Sequence, residues 1–134
     1  MTNWIRAQKP SGSPEELGPL QLAWLGDSVW EMHQRLRYCN KSRRPKDFHR
    51  AVVSEVRAFS QAKAFDCLKP HLSEEEALLA KRGRNKSSQG PKNVDASTYG
   101  KATGFETIVG WLFLKDPSRL ASLFDLLQKP ESDL

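Results

Sequence analysis

A chain of 134 residues with 38 % hydrophobic and 28 % charged side chains is long enough for one domain with a buried core and too apolar for a disordered segment. No apolar run approaches the roughly 18 residues of a membrane span, and Met1–Arg6 lacks the apolar stretch of a secretory signal, so neither a membrane nor a secreted class is expected. The net charge of +5 is unevenly placed: 13 of the 21 basic residues fall within 35–50 and 81–101, where Asp47 and Asp95 are the sole acids, a pattern that recruits a polyanion such as nucleic acid.

Along the chain, Pro10, Gly12, Pro14, Gly18 and Pro19 punctuate the start, and residues 1–13 are expected to be a flexible tail ahead of a domain over 14–129, with 130–134 as a second tail. Ser13–Pro14–Glu15–Glu16 has the form of a capped helix start that Gly18–Pro19 breaks. Leu22, Leu25, Val29, Met32 and Leu36 recur at helical spacing and predict a helix from about 20 to 38. Pro45 opens a second helix to about Leu68, with Phe48, Val52, Val56 and Phe59 on one stripe. Ser73–Glu74–Glu75–Glu76 reads as a capping box for a short helix that Gly83 stops. The polar run 83–95 has no period and predicts a long connection of the functional kind. Helices over about 96–115 and from Pro117 to just before Pro130 complete an all-α chain without strands or repeats. Cys39 and Cys67 have no metal-type spacing and read as reduced thiols of a cytosolic protein. His33, His49 and His71 are scattered in the same way.

Two acids stand inside the most apolar stretches. Asp27 interrupts Leu20–Gly26 and Ser28–Trp30, and Glu106 interrupts Ala102–Phe105 and Thr107–Leu114. Carboxylates are rarely buried without a partner, and a shared cation is one explanation for a pair so placed. Gly26, Gly104 and Gly110 adjoin them; glycine costs a helix interior about 1 kcal/mol and marks close approach of another backbone.

These residues carry a family resemblance. Leu25–Gly26–Asp27–Ser28 resembles the ribonuclease III signature, and Thr103–Gly104–Phe105–Glu106–Thr107–Ile108–Val109–Gly110 resembles its second acidic motif. The segment Lys81–Arg82–Gly83–Arg84–Asn85, then Pro91–Lys92–Asn93, and Ser60–Gln61–Ala62 are similar to the short Mini-ribonuclease III subclass. The likeness spans about residues 17–128. Leu20, Ala23 and Thr103 stand where longer members carry further acids, as in the subclass, and a chain ending at Leu134 is not expected to hold a separate double-stranded-RNA-binding domain.

The resemblance implies a helical ribonuclease III-like bundle and Mg2+-dependent hydrolysis of double-stranded RNA to 5′-phosphate and 3′-hydroxyl ends. Its family role is maturation of the large-subunit (23S) ribosomal RNA precursor. Asp27 and Glu106 are then the catalytic and metal-binding carboxylates. Lys81, Arg82, Arg84, Asn85, Lys86 and Lys92 are candidates for RNA contacts on a mobile loop. Glu31 is a candidate to orient metal-bound water, against the simpler reading of a surface pair with Arg35 one turn on. A homodimer is implied, with Trp24 and Trp30 as candidate interface residues against a core role. A ribosomal protein is a candidate accessory, and the compartment expected is the bacterial cytoplasm. Two alternatives stay open: an inactive ribonuclease III-like RNA-binding protein, and an all-α metal-dependent nucleotide pyrophosphohydrolase. Glu74–Glu75–Glu76 is the sole acidic cluster available to the latter.

Overall fold

The computed structural model describes residues 1–11, 13–39, 58–87, 90 and 94–128. Six helices are described: α1 (Asn3–Arg6), α2 (Pro19–Cys39), α3 (Ala58–Leu68), α4 (Glu74–Lys86), α5 (Ala96–Lys115) and α6 (Pro117–Leu127), with no strand among these residues. The all-α expectation holds. Residues 40–57, which include Pro45, Phe48, His49 and the stripe Val52–Val56, lie outside the described residues, as do Lys92 and 129–134.

α5 is the axis of the bundle. Eleven of its residues, from Gly100 to Leu112, are buried, because α2, α3 and α4 pack around it and leave few of its positions facing solvent. This is why its sequence is apolar nearly all round rather than striped. Asp95 caps its start by accepting from the Thr98 N–H at 2.8 Å. Phe105, Ile108 and Val109 of α5 join Leu22, Val29 and Trp30 of α2 and Leu120, Leu123 and Phe124 of α6 in one core. Trp30 sits edge-on to Phe105 and Phe124, with ring centroids 5.1 and 5.3 Å away.

α2 crosses α5 at Gly26 and Gly110. A Cβ built on Gly26 would strike the Glu106 carbonyl oxygen and lie 2.9 Å from the Gly110 nitrogen; one on Gly110 would strike the Leu22 carbonyl oxygen. The two glycines therefore set how close the backbones come, and the close approach expected from them is one between helices of the same chain.

Three expectations are corrected here. The segment 1–13 is not wholly a loose tail: α1 folds back with Ile5 fully buried, and Thr2 donates to Asp125 of α6 at 2.9 Å. Arg6 pairs with the same carboxylate at 2.9 Å, and the Trp4 indole N–H donates to His33 Nδ1 at 3.1 Å. A single buried isoleucine is too weak a pattern to read as an element. Ser13 makes no side-chain cap, and Pro14–Glu16 is one 3-10 turn. Gly83 does not end α4, which continues to Lys86; a Cβ there would meet the Thr107 hydroxyl of α5, so the glycine serves packing rather than termination.

The capping box at Ser73 forms as expected, with the Glu76 N–H donating to Ser73 Oγ at 3.1 Å and the Ser73 N–H to Glu76 Oε1 at 2.8 Å. Glu76 is buried and also receives Arg119 of α6 in a two-pronged contact, both bonds 2.9 Å. Burial pushes the Glu76 carboxyl up, but the Arg119 guanidinium and the Ser73 N–H outweigh it and hold the group below its ordinary range. His33 is buried among Trp4, Trp30 and Phe124. Burial, with help from Arg37, lowers its ring to about 4, so it is a neutral structural histidine at pH 7.

Candidate active site

Asp27 lies midway along α2 and Glu106 midway along α5, just beside the Gly26–Gly110 crossing. That contact brings the acids together. The Gln61 side-chain amide of α3 donates to Asp27 Oδ1 and to Glu106 Oε2, each at 3.3 Å. Carboxylates 79 positions apart in sequence thus meet at a junction of three helices.

The electrostatics of the pair are unbalanced. Burial, then the Asp27 carboxylate alongside, push the Glu106 carboxyl up to about 9, and the Gln61 amide offsets only part of this. Near neutral pH the pair therefore favours one shared proton. Asp27 is exposed to the cleft while Glu106 lies half-buried behind it. The cleft has a volume of about 280 Å³ and is lined by Leu20, Ala23, Trp24, Asp27, Ser87, Tyr99, Thr103 and Glu106. Leu20, Ala23 and Thr103, the three positions at which the sequence lacks further acids, all border this space. Among the described residues no third Asp, Glu, His or Cys joins the pair.

Glu31 is not part of the cleft lining; it pairs with Arg35 at 2.7 Å, the simpler of its two readings. Five of the six candidate RNA contacts, Lys81, Arg82, Arg84, Asn85 and Lys86, lie on helix α4 rather than on a loop, since the helix outlasts Gly83. They also divide. Lys81, Arg84 and Asn85 line a hollow of about 320 Å³ between α3, α4 and α5, together with Phe65, Lys69 and Lys101. Lys101 pairs there with Asp66 at 3.1 Å. Arg82 faces a different groove, with Glu15, Glu75 and Trp111. Lys86 is exposed at the end of α4, and Lys92 lies outside the described residues. Trp24 is 81 % exposed at the mouth of the acid cleft, whereas Trp30 is 5 % exposed and belongs to the core.

Four contributors carry no role in the sequence reading. Gln61 marks the subclass in sequence without showing a role; that it is buried emerges only in the structure. Tyr99 and Ser87 border the cleft from segments whose spacing to Asp27 carries no local pattern, and Lys69 lay outside the two basic windows.

Comparison with known proteins agrees with the geometry. The ribonuclease III domain family matches residues 20–117, a span that contains both acids and Gln61. Mini-ribonuclease 3 of Thermosynechococcus vestitus is 42 % identical over 120 residues, covering 90 % of this chain and 80 % of that protein. Mini-ribonuclease 3 of Gloeobacter violaceus is 47 % identical over 105 residues, 78 % of each. A crystal structure of protein FN1578 from Fusobacterium nucleatum superposes with a TM-score of 0.78, covering 87 % of this chain and 96 % of that one; at 24 % identity it speaks to the fold alone. The nucleotide pyrophosphohydrolase alternative falls with these matches. A paired carboxylate site on this helical frame and relatives of this similarity give one conclusion: the chain belongs to the ribonuclease III family, in its Mini-ribonuclease 3 group, and is an endoribonuclease.

Proposed function

We propose that the chain hydrolyses double-stranded RNA with Mg2+ held by Asp27 and Glu106, leaving 5′-phosphate and 3′-hydroxyl ends. The observation that supports this most is the convergence of the two carboxylates on one amide at the edge of an open cleft. Burial beside another carboxylate is costly unless a proton or a cation shares the site. Magnesium takes oxygen ligands, uses one or two carboxylates and keeps several waters, which suits a pair with open space in front and, among the described residues, no further acid. When bound, it lowers the pKa of a coordinated water and offsets charge on the phosphoryl group.

The chain's own residues do the rest. Asp27 and Glu106 would hold the ion at the cleft, and Glu106, which burial and Asp27 push towards its protonated form, would have to be ionised to do so. Leu20, Ala23 and Thr103 add no charge around the pair. Lys81, Arg84 and Asn85, with Lys69 and Lys101, provide a cationic surface suited to phosphates and 2′-hydroxyls, the features by which duplex RNA is read. For Lys81→Ala combined with Arg84→Ala, the plot of log affinity against log salt for a catalytically inactive duplex complex is expected to flatten by about two, one per lost phosphate contact. An unchanged slope would remove both residues from the RNA surface.

A homodimer accompanies this reading, with Trp24 in the contact. A tryptophan 81 % exposed beside Leu20 at 49 %, on the same helix and at the cleft mouth, supports that placement. Trp24→Glu is expected to convert the protein to a monomer in sedimentation experiments with its helical spectrum unchanged; a dimer that survives would place the contact elsewhere. The cellular substrate proposed is the large-subunit ribosomal RNA precursor in the cytoplasm, with a ribosomal protein as accessory. Among the described residues no helix is long and apolar enough to cross a membrane.

A further inference from the structure

We infer that Gln61 is the positioning residue of the acid pair, a neutral donor whose two amide hydrogens hold Asp27 and Glu106 together without cancelling the charge a cation needs. The inference rests on the proposed metal-binding role of those carboxylates and adds a residue to it.

Three observations carry it. Gln61 is 3 % exposed and comes from α3, a helix that contributes neither acid, yet its single nitrogen reaches an oxygen of each. Among the described residues no other Asp, Glu, His or Cys joins the site, so within them Gln61 is the side chain that braces both carboxylates. Asp27 is exposed on its cleft side, and its side chain needs a fixed partner to keep one rotamer.

Chemistry then narrows the choice of side chain. Lysine or arginine at this position would donate as well but would satisfy the carboxylates electrostatically and compete with any cation. Glutamate would bring a third negative charge and, when ionised, no hydrogen to donate. Leucine has similar bulk and no polar group. Asparagine is one methylene shorter. Glutamine alone among these combines the reach, two hydrogens on one atom and zero charge. Its bonds go to one oxygen of each carboxylate, which leaves lone pairs on both acids for a metal ion. Partners that orient metal ligands in this way typically carry 10–100-fold in metal affinity.

The test compares Gln61→Leu and Gln61→Lys with the wild-type protein in two measurements: Mn2+ affinity by calorimetry, and melting temperature in EDTA. Gln61→Leu is expected to lose about 10–100-fold in Mn2+ affinity with its helical spectrum intact. Gln61→Lys is expected to melt higher than wild type in EDTA and to bind Mn2+ at least about 100-fold more weakly. A residue that merely fills space would give neither pattern, because lysine would then destabilise the site and leucine would leave affinity alone. Mn2+ affinity within about twofold of wild type for Gln61→Leu, or retained affinity for Gln61→Lys, overturns the inference. Should the leucine variant fail to fold, the lysine variant decides alone. Wild-type protein that binds no Mn2+ would instead remove the metal reading itself, and this inference with it.

Discussion

Replacing Glu106 by glutamine is expected to abolish cleavage of long duplex RNA in Mg2+ while making the metal-free protein more stable. Asp27→Asn should match the first effect, with a rate loss of at least about a thousandfold, the order found when one member of a cooperating catalytic group is removed. The stability gain follows from the Glu106 environment. Its carboxyl is pushed up to about 9 by burial and by Asp27, whereas in the unfolded chain it ionises near 4.5. The folded state therefore binds the extra proton between those values, and the contribution of Glu106 to stability is greatest below pH 4.5 and declines as the pH rises towards 9. Glutamine keeps the shape and removes that slope. Because Asp27 faces solvent, the full shift overstates the effect, and a gain on the order of 1–3 kcal/mol at pH 8 is reasonable. That corresponds to about 3–10 °C in melting temperature for a domain of this size. Thermal melts in EDTA at pH 5 and pH 8 measure it: the variant's advantage should widen with pH. A variant that cuts duplex RNA normally would reject the site; one that melts lower at pH 8 would reject the electrostatic account.

The second large effect is expected from Gly110→Ala, a single added methyl. In an ordinary helix this change stabilises by about 1 kcal/mol. Here the methyl would press on the Leu22 carbonyl, part of a rigid backbone that cannot rotate aside as a side chain would. Forcing extra carbon into a filled interior costs about 1–3 kcal/mol even where side chains can shift, so a net loss of at least about 3 kcal/mol is expected. Urea unfolding followed by circular dichroism would show it as a lower midpoint. Activity should fall with stability, since parting α2 from α5 also parts Asp27 from Glu106. A midpoint equal to wild type would mean that the crossing has slack that the geometry does not show.

The acid pair was legible in the sequence because its physical cause is local: a carboxylate in an apolar run is anomalous wherever that run ends up. The helices with strong periodicity or caps, 20–38, 96–115 and the one opened by Ser73, were legible for similar reasons, and their observed bounds differ by only a few residues. Gly83 was misread because glycine has two uses in helices, ending them and letting another element in close. Only the position of Thr107 distinguishes these. Gln61 was recognised but given no task, since what it does depends on two residues 34 and 45 positions away. The basic residues of α4 were grouped by sequence proximity, but a helix turns about 100° per residue and sends Arg82 away from Lys81 and Arg84. α1 is hidden in the sequence because its buried apolar side chain, Ile5, has no periodic company and its other anchors, Thr2, Trp4 and Arg6, act through distant polar partners.

The docking of α1 has a further consequence for how the molecule matures. Most of its partners, Asp125 on α6 and the core around Phe124, come more than a hundred residues later, and of the earlier chain α1 meets His33 of α2 through Trp4. Contacts of such long sequence separation form slowly and late. The α2–α5 crossing uses no residue of α6, so the acids can meet before α1 finds its place.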